Sequence, residues 1–97
     1  MKAILITYNQ AYYDDIAKVL NDHGAKGYTE WDEIKGHGSE TGEPHLGSHA
    51  WPTLNNTIIS IVEDDQVEGI LNDLHERDLK APELGLRAFV WNIEKMI

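Results

Sequence analysis

The sequence predicts an α+β domain in which strand, helix and strand occur twice, in the order βαββαβ. This order follows from an internal repeat, because a shift of 54 positions carries the apolar pair Ile4-Leu5 onto Ile58-Ile59. The same shift carries one helical stripe of apolar residues, at positions 13, 16, 17 and 20, onto another at positions 67, 70, 71 and 74. Crossovers between such elements are right-handed in nearly all proteins, which places both helices on one face of a four-stranded antiparallel sheet. This arrangement is called ferredoxin-like.

The first half of the chain supplies a buried strand, a helix and an outer strand. Residues 2–8 are apolar and β-branched, which is typical of a buried strand. Asn9 is a suitable N-cap for the helix that follows, and Gly24 is expected to end that helix. Residues 26–35 are of mixed polarity and predict the second strand.

The second half of the chain repeats this pattern. Residues 55–62 are rich in isoleucine and predict the third strand. Either Asp64 or Asp65 is a suitable cap for the second helix, and a last strand is predicted at 86–93.

Several aromatic residues fall on the outer strands, and among them we assign Trp31 and Trp91 to the sheet face that the helices leave open. A buried aromatic ring removes ~150–250 Å² from water, which favours association with another copy of the chain. The alternative is that these rings complete the core of a single chain. We favour an oligomer, because a domain of this size buries only about two-thirds of the surface of its unfolded chain.

Composition restricts the classes of function. The chain has 97 residues, 41% of them apolar, and predicts a single domain over residues 1–97. Eight basic residues against 17 acidic ones give a net charge of −9, which argues against binding to nucleic acid. No apolar run is long enough for insertion into a membrane, and the chain contains no cysteine. A cytoplasmic location is expected.

A long loop at 36–53 separates the two halves and contains four glycines, two prolines and three histidines. It follows Lys35 with the pattern Lys-Gly-x-Gly and includes Leu-Gly-x-x-x-Trp-Pro at 46–52. Together with the paired helices, these motifs resemble the nitrogen regulatory PII superfamily, and the second motif resembles its divergent PII-like branch. The resemblance covers the whole chain.

This resemblance implies a homotrimer with clefts between subunits, and a T-loop-like segment at 36–53 that reaches a protein partner such as a membrane transporter. In nucleotide-binding members, phosphates are held at the base of this loop, which Lys35, Gly36 and Gly38 match. A second, glycine-rich basic loop is replaced here by 80–87, in which Lys80 and Arg87 remain as candidate anion contacts. A triphosphate would therefore lose most of its cradle.

The histidines of the loop suggest a metal site. His37, His45 and His49 together with Glu43 offer imidazole and carboxylate ligands that suit a divalent transition metal, Zn, Cu or Ni. Some PII-like branches are associated with heavy-metal efflux, which supports this interpretation. The alternatives are three solvated histidines, or direct contact with an organic ligand or a partner.

Enzymatic chemistry has little support in the sequence. Glu30 and Asp32 share one face of the second strand, where charge that protects a sheet edge is an alternative to a catalytic carboxylate pair. We therefore predict a PII-like trimeric signalling protein without catalysis, whose loop senses a small ligand such as a transition metal. The first alternative is a regulator that responds to adenine nucleotides. The second is an enzyme of the dimeric α+β barrel type, which shares this topology.

Overall fold

The computed structural model describes residues 1–37, 42–48 and 53–97. Its strands are β1 (Lys2–Asn9), β2 (Thr29–Ile34), β3 (Asn55–Val62) and β4 (Arg87–Asn92), and its helices are α1 (Tyr13–Asp22) and α2 (Val67–Lys80). The strands form one antiparallel sheet in the order β2-β3-β1-β4. The predicted α+β fold with two helices and a four-stranded antiparallel sheet is confirmed.

One face of the sheet is covered by the two helices. Alternate residues of β1, namely Ile4, Ile6 and Tyr8, are buried in the core, as period-two alternation in a strand requires. The helices contribute apolar residues at helical spacing, and those that are buried are Ile16, Val19, Leu20, Ile70 and Leu74. Of the two predicted stripes, positions 16, 20, 70 and 74 are buried, and Tyr13 and Val67 pack against the core while partly exposed.

The other face of the sheet carries large exposed apolar side chains. The register pairs Ala3 with Trp91 and Leu5 with Phe89, which places these residues on the face opposite to Ile4 and Ile6. Trp31 is paired with Thr57 and lies on the same open face. Trp31, Phe89 and Trp91 are 50%, 53% and 45% exposed, so residues 1–37, 42–48 and 53–97 leave this face uncovered.

Each helix begins with a short 3-10 turn, and the two turns are capped differently. Before α1, the Asn9 side chain accepts a hydrogen bond from the Ala11 amide at 2.9 Å, as predicted for an N-cap. Before α2, the cap is Glu63, whose amide donates to Gln66 Oε1 at 2.8 Å. The prediction that Asp64 or Asp65 caps α2 is wrong, because a capping box forms one residue earlier.

The second strand is shorter than the sequence predicts. It covers Thr29–Ile34, and Gly27 before it is held by the Ser60 hydroxyl, which donates to the Gly27 carbonyl at 2.7 Å.

No helix in the described parts of the chain combines the length and the apolar character of a membrane span.

Candidate functional site

The base of the 36–53 loop is closed by a pair of backbone hydrogen bonds. The Gly36 amide donates to the His45 carbonyl at 2.8 Å, and the His45 amide donates to the Gly36 carbonyl at 2.6 Å. Further along, the Gly47 amide donates to the Thr53 carbonyl at 3.1 Å. The Gly36–His45 pair is an isolated bridge outside β2 and β3, and we call it the neck of the loop.

The Asn55 side chain, at the start of β3, contacts both residues of this neck. Its side-chain oxygen is hydrogen-bonded to His45 Nδ1, and the His45 ring is only 3% exposed. A Cβ on Gly36 would lie 2.5 Å from Asn55 Nδ2, closer than real Cβ atoms approach. A larger residue at position 36 would therefore displace the Asn55 amide, which is hydrogen-bonded to His45.

The next residue of β3, Asn56, fixes the end of β2. Glu33 adopts a left-handed backbone conformation with φ of 58°, at a register shift between Trp31 and Ile34. The Asn56 side-chain oxygen accepts from the Glu33 amide at 3.1 Å. A β-bulge of this kind bends a strand and changes the direction of the residues that follow. Here those residues are Lys35 and Gly36.

The other end of the Asn56 side chain binds Glu30. Asn56 Nδ2 donates to Glu30 Oε1 at 2.9 Å, and the Tyr8 hydroxyl donates to the same oxygen at 3.3 Å. Burial raises the pKa of the Glu30 carboxyl above its ordinary value, and Asp32 nearby raises it further. Burial also raises the pKa of the Tyr8 hydroxyl. Glu30 is thus held in a hydrogen-bonded group beneath the bulge, with Asp32 near enough to affect its pKa.

The predicted anion contacts lie at one end of the sheet but do not converge within one chain. Lys35 follows β2 and is exposed, whereas Arg87 begins β4. β2 and β4 are the two edge strands of the sheet. Three strand spacings lie between them, which amounts to about 14 Å. Arg87 Nη1 donates to the Leu86 carbonyl at 2.6 Å and to Asp78 Oδ1 at 3.4 Å.

Lys80 belongs to a different element from these two residues. It ends α2 and lines a cavity on the helix side of the sheet. The segment that follows it contains a 3-10 turn over Pro82–Leu84 and then Gly85, with φ of 70°. Gly85 is the only glycine of this segment in the sequence.

The model of the family described as nitrogen regulatory protein P-II matches residues 1–97. The chain belongs to this family. This match confirms the resemblance that the sequence predicted. The family consists of signalling proteins. A sequence search among curated proteins finds no significant match.

Solved structures of PII-like proteins share the fold. CPII from Thiomonas intermedia K12, bound to ADP and bicarbonate, has a TM-score of 0.77 and 24% identity, over 95% of this chain and 84% of that one. The apo form of CPII has a TM-score of 0.68 and 20% identity, over 95% and 87% of the two chains. A PII-like signalling protein from Thermus thermophilus has a TM-score of 0.70 and 26% identity, over 95% and 85%.

The prediction of a transition-metal cofactor is wrong. The CPII structures hold ADP, AMP, bicarbonate or acetate. Among residues 1–37, 42–48 and 53–97, no group of three or more histidine, cysteine, aspartate or glutamate side chains is placed to hold a metal ion. His37 Nε2 is hydrogen-bonded to the Gly42 carbonyl at 2.8 Å, and His45 Nδ1 is bonded to Asn55. Glu43 is exposed.

Two of the predicted site residues cannot be placed. His49, a predicted metal ligand, and Gly38, a predicted part of the loop base, lie outside the described residues.

Sequence reasoning overlooked Asn55 and Asn56, which organise the site. One signal was present, because asparagine is disfavoured in strands and two asparagines begin an otherwise β-branched strand. The left-handed conformation of Glu33 had no such signal, since glutamate rarely adopts it.

Proposed function

We propose that this chain is a non-catalytic, trimeric regulator that binds an adenine nucleotide with one or two phosphates between subunits. The observation that carries the proposal is the nucleotide in CPII, whose fold this chain shares over 95% of its length. The ligand state would be transmitted through the 36–53 loop to a protein partner, such as a membrane transporter. This was the first alternative in the sequence analysis.

The loop base supports this role because it joins a candidate phosphate contact to the loop. Lys35 lies between the bulge at Glu33 and the neck closed by Gly36 and His45. A phosphate bound by Lys35 and by the backbone of Gly36 would therefore act directly on the hydrogen bonds of the neck. The Asn55 and Asn56 side chains would pass that change into β3.

The net charge of the chain favours a nucleotide with few phosphate groups. The chain carries a net charge of −9, so each added phosphate meets general repulsion unless local cations compensate it. Lys35 and Arg87 are the candidate cations at this end of the sheet, and the segment before Arg87 lacks a glycine-rich cradle. ADP and AMP are therefore the expected ligands, with ATP weaker than either.

The open face of the sheet supports assembly. Trp31, Phe89 and Trp91 are about half exposed on this face, and their burial would remove a large apolar area from water. Packing three such faces together would also bring the β2 edge of one chain towards the β4 edge of another. Lys35 of one subunit and Arg87 of its neighbour could then line one cleft.

Isothermal titration calorimetry with AMP, ADP and ATP tests the ligand. We expect ADP to bind, ATP to bind more weakly, and the affinity to fall as salt is raised from about 50 to about 200 mM, since the contacts are ionic. Lys35→Gln and Arg87→Gln should each weaken ADP binding by about tenfold. Lys95→Gln, which changes the same charge in the C-terminal tail, should leave it unchanged.

The same titration distinguishes the alternatives. Absence of heat with all three nucleotides, or equal losses in Lys35→Gln and Lys95→Gln, would contradict the proposal. A parallel titration of ADP with and without bicarbonate asks whether this anion is a second ligand. We expect bicarbonate to strengthen ADP binding if it occupies the same cleft, since the two then stabilise one conformation.

A further inference from the structure

A cavity of about 360 Å³ lies on the helix side of the sheet, between the beginning of α1, the end of α2 and the 3-10 turn before β4. This volume lies in the range of small-molecule sites, ~300–1,000 Å³. Tyr8 lines it, and Tyr8 lies on the sheet face that the helices cover. The cavity is therefore separate from the open face on which the trimer and the nucleotide cleft are proposed. We call it the helix-side cavity.

The floor of the helix-side cavity is apolar and aromatic. Leu84 and Leu86 supply partly exposed aliphatic surface and Tyr12 supplies a ring face, while the buried side chains of Tyr8 and Ile16 lie beneath them. Tyr12 is 39% exposed, so its ring is accessible to a ligand at the mouth of the cavity. Such a surface favours a ligand with a ring or a branched aliphatic group.

Two exposed residues of opposite charge line this cavity from different elements. Lys80 comes from the last turn of α2, and Asp15 comes from the first turn of α1. Within the described parts of the chain, neither side chain forms a hydrogen bond or an ion pair. The third charged residue of the lining, Arg77, is already paired with Asp73 at 2.7 Å. One cation and one carboxylate therefore remain available.

We propose that the helix-side cavity binds a free apolar amino acid as a zwitterion. The ligand carboxylate is bound by the Lys80 ammonium, the ligand ammonium by the Asp15 carboxylate, and its side chain by the apolar floor. A simple anion would satisfy Lys80 but would be repelled by Asp15, and a simple cation would meet the reverse problem. Only a ligand that carries both charges satisfies both walls. This inference does not depend on the proposed nucleotide function.

Three related ligands test the proposal on the intact chain. L-phenylalanine carries both charges, 3-phenylpropanoate lacks the ammonium group, and 2-phenylethylamine lacks the carboxylate. Calorimetric titration up to about 10 mM covers millimolar affinities. We expect L-phenylalanine to bind about tenfold more tightly than either fragment, since each fragment leaves one charged wall unpaired.

Two variants test which residue binds the carboxylate of the ligand and which binds its ammonium group. Lys80→Gln should weaken L-phenylalanine and 3-phenylpropanoate by about tenfold and leave 2-phenylethylamine unchanged. Asp15→Asn should weaken L-phenylalanine and 2-phenylethylamine and leave 3-phenylpropanoate unchanged. Asp14→Asn is the control for Asp15→Asn, because Asp14 lies in the same turn of α1 but does not line the cavity. Lys95→Gln is the control for Lys80→Gln, because it removes a positive charge in the C-terminal tail. Both control variants should bind the three ligands as the wild type does.

Three results would overturn the proposal. The first is no binding of L-phenylalanine at about 10 mM. The second is equal affinity for all three ligands, which would mean that the ligand's charged groups do not contribute to binding. The third is a loss in Asp14→Asn as large as that in Asp15→Asn. Asp15→Asn alters none of the candidate nucleotide contacts Lys35, Lys80 and Arg87, so the absence of its expected effect would leave the nucleotide proposal standing.

Discussion

Asn55 and Asn56 make contacts that connect the sheet to the loop base. Asn55 binds the buried ring of His45, and Asn56 joins the Glu33 amide to the Glu30 carboxylate. Each amide side chain offers both a donor and an acceptor, which allows it to satisfy polar groups on two sides at once. The geometry of the loop base thus depends on two residues of β3 and on Gly36, which leaves room for one of them.

Glu30 gives the folded chain a pH dependence that can be measured. Its folded-state pKa is raised above the ordinary 4.5, chiefly by burial and then by Asp32. The folded chain therefore binds this proton more tightly than the unfolded chain does, and the free energy of unfolding falls as the pH rises through the interval between the two pKa values. Ionised Glu30 is thus a cost at neutral pH.

Glu30→Gln should remove this cost, because glutamine keeps an oxygen that can accept from Asn56 and Tyr8. We expect a higher free energy of unfolding than wild type at pH 7, and no difference below about pH 4, where the carboxyl is protonated in both states. Urea denaturation across this pH range measures the effect. Glu94→Gln, in the exposed C-terminal tail, is the matched control. A Glu30→Gln variant less stable than wild type at pH 7 would show that the carboxylate is favourable.

At the scale of elements, Gln66 links the start of α2 to the end of α1. Its side chain accepts from the Glu63 amide at 2.8 Å and donates to the His23 carbonyl at 3.1 Å. The ring of His23 in turn reaches Asp73 of α2, with Nε2 and Oδ2 separated by 3.2 Å. The two helices are therefore joined by polar contacts as well as by their apolar stripes.

Gln66→Ala should lower the free energy of unfolding by about 1–2 kcal/mol, because two polar backbone groups lose their partner. Gln10→Ala provides the control, since Gln10 is an exposed glutamine in the 3-10 turn before the other helix. Chemical denaturation of both variants gives the comparison. Equal stabilities for Gln66→Ala and Gln10→Ala would contradict the capping box.

The elements that sequence could predict are those with strong periodicity. The repeat at 54 positions and the two apolar stripes predict four strands and two helices in the observed order, because period and polarity depend on local sequence. The cap of α2 was misplaced by one residue, since three consecutive acids all suit the start of a helix. The bulge at Glu33 was not predicted, because it depends on the Asn56 side chain from another strand.

The candidate site was only partly predictable for the same reason. Lys35 and Gly36 were identified from a motif that is contiguous in sequence. The neighbours that give them their geometry, Asn55 and Asn56, lie about 20 residues further along the chain. The loop histidines matched a ligand composition, yet the composition did not show that His45 is buried against Asn55.

At the scale of the whole molecule, one sheet face is covered by helices and the other is open. The open face carries half-exposed Trp31, Phe89 and Trp91, and the candidate phosphate contacts lie on the two edge strands that flank it. Assembly and nucleotide binding are therefore linked in our account, because the cleft is complete only between chains. A chain that binds the nucleotide as a monomer would not fit this arrangement.

Native mass spectrometry during a titration with ADP tests both parts of this claim in one measurement. We expect a species of three chains, each of 11.0 kDa, that acquires up to three ADP molecules as the nucleotide concentration rises. A monomer, or a trimer that acquires no ADP, would contradict the account. A dimer would contradict it as well and would favour the barrel-type enzyme that shares this topology.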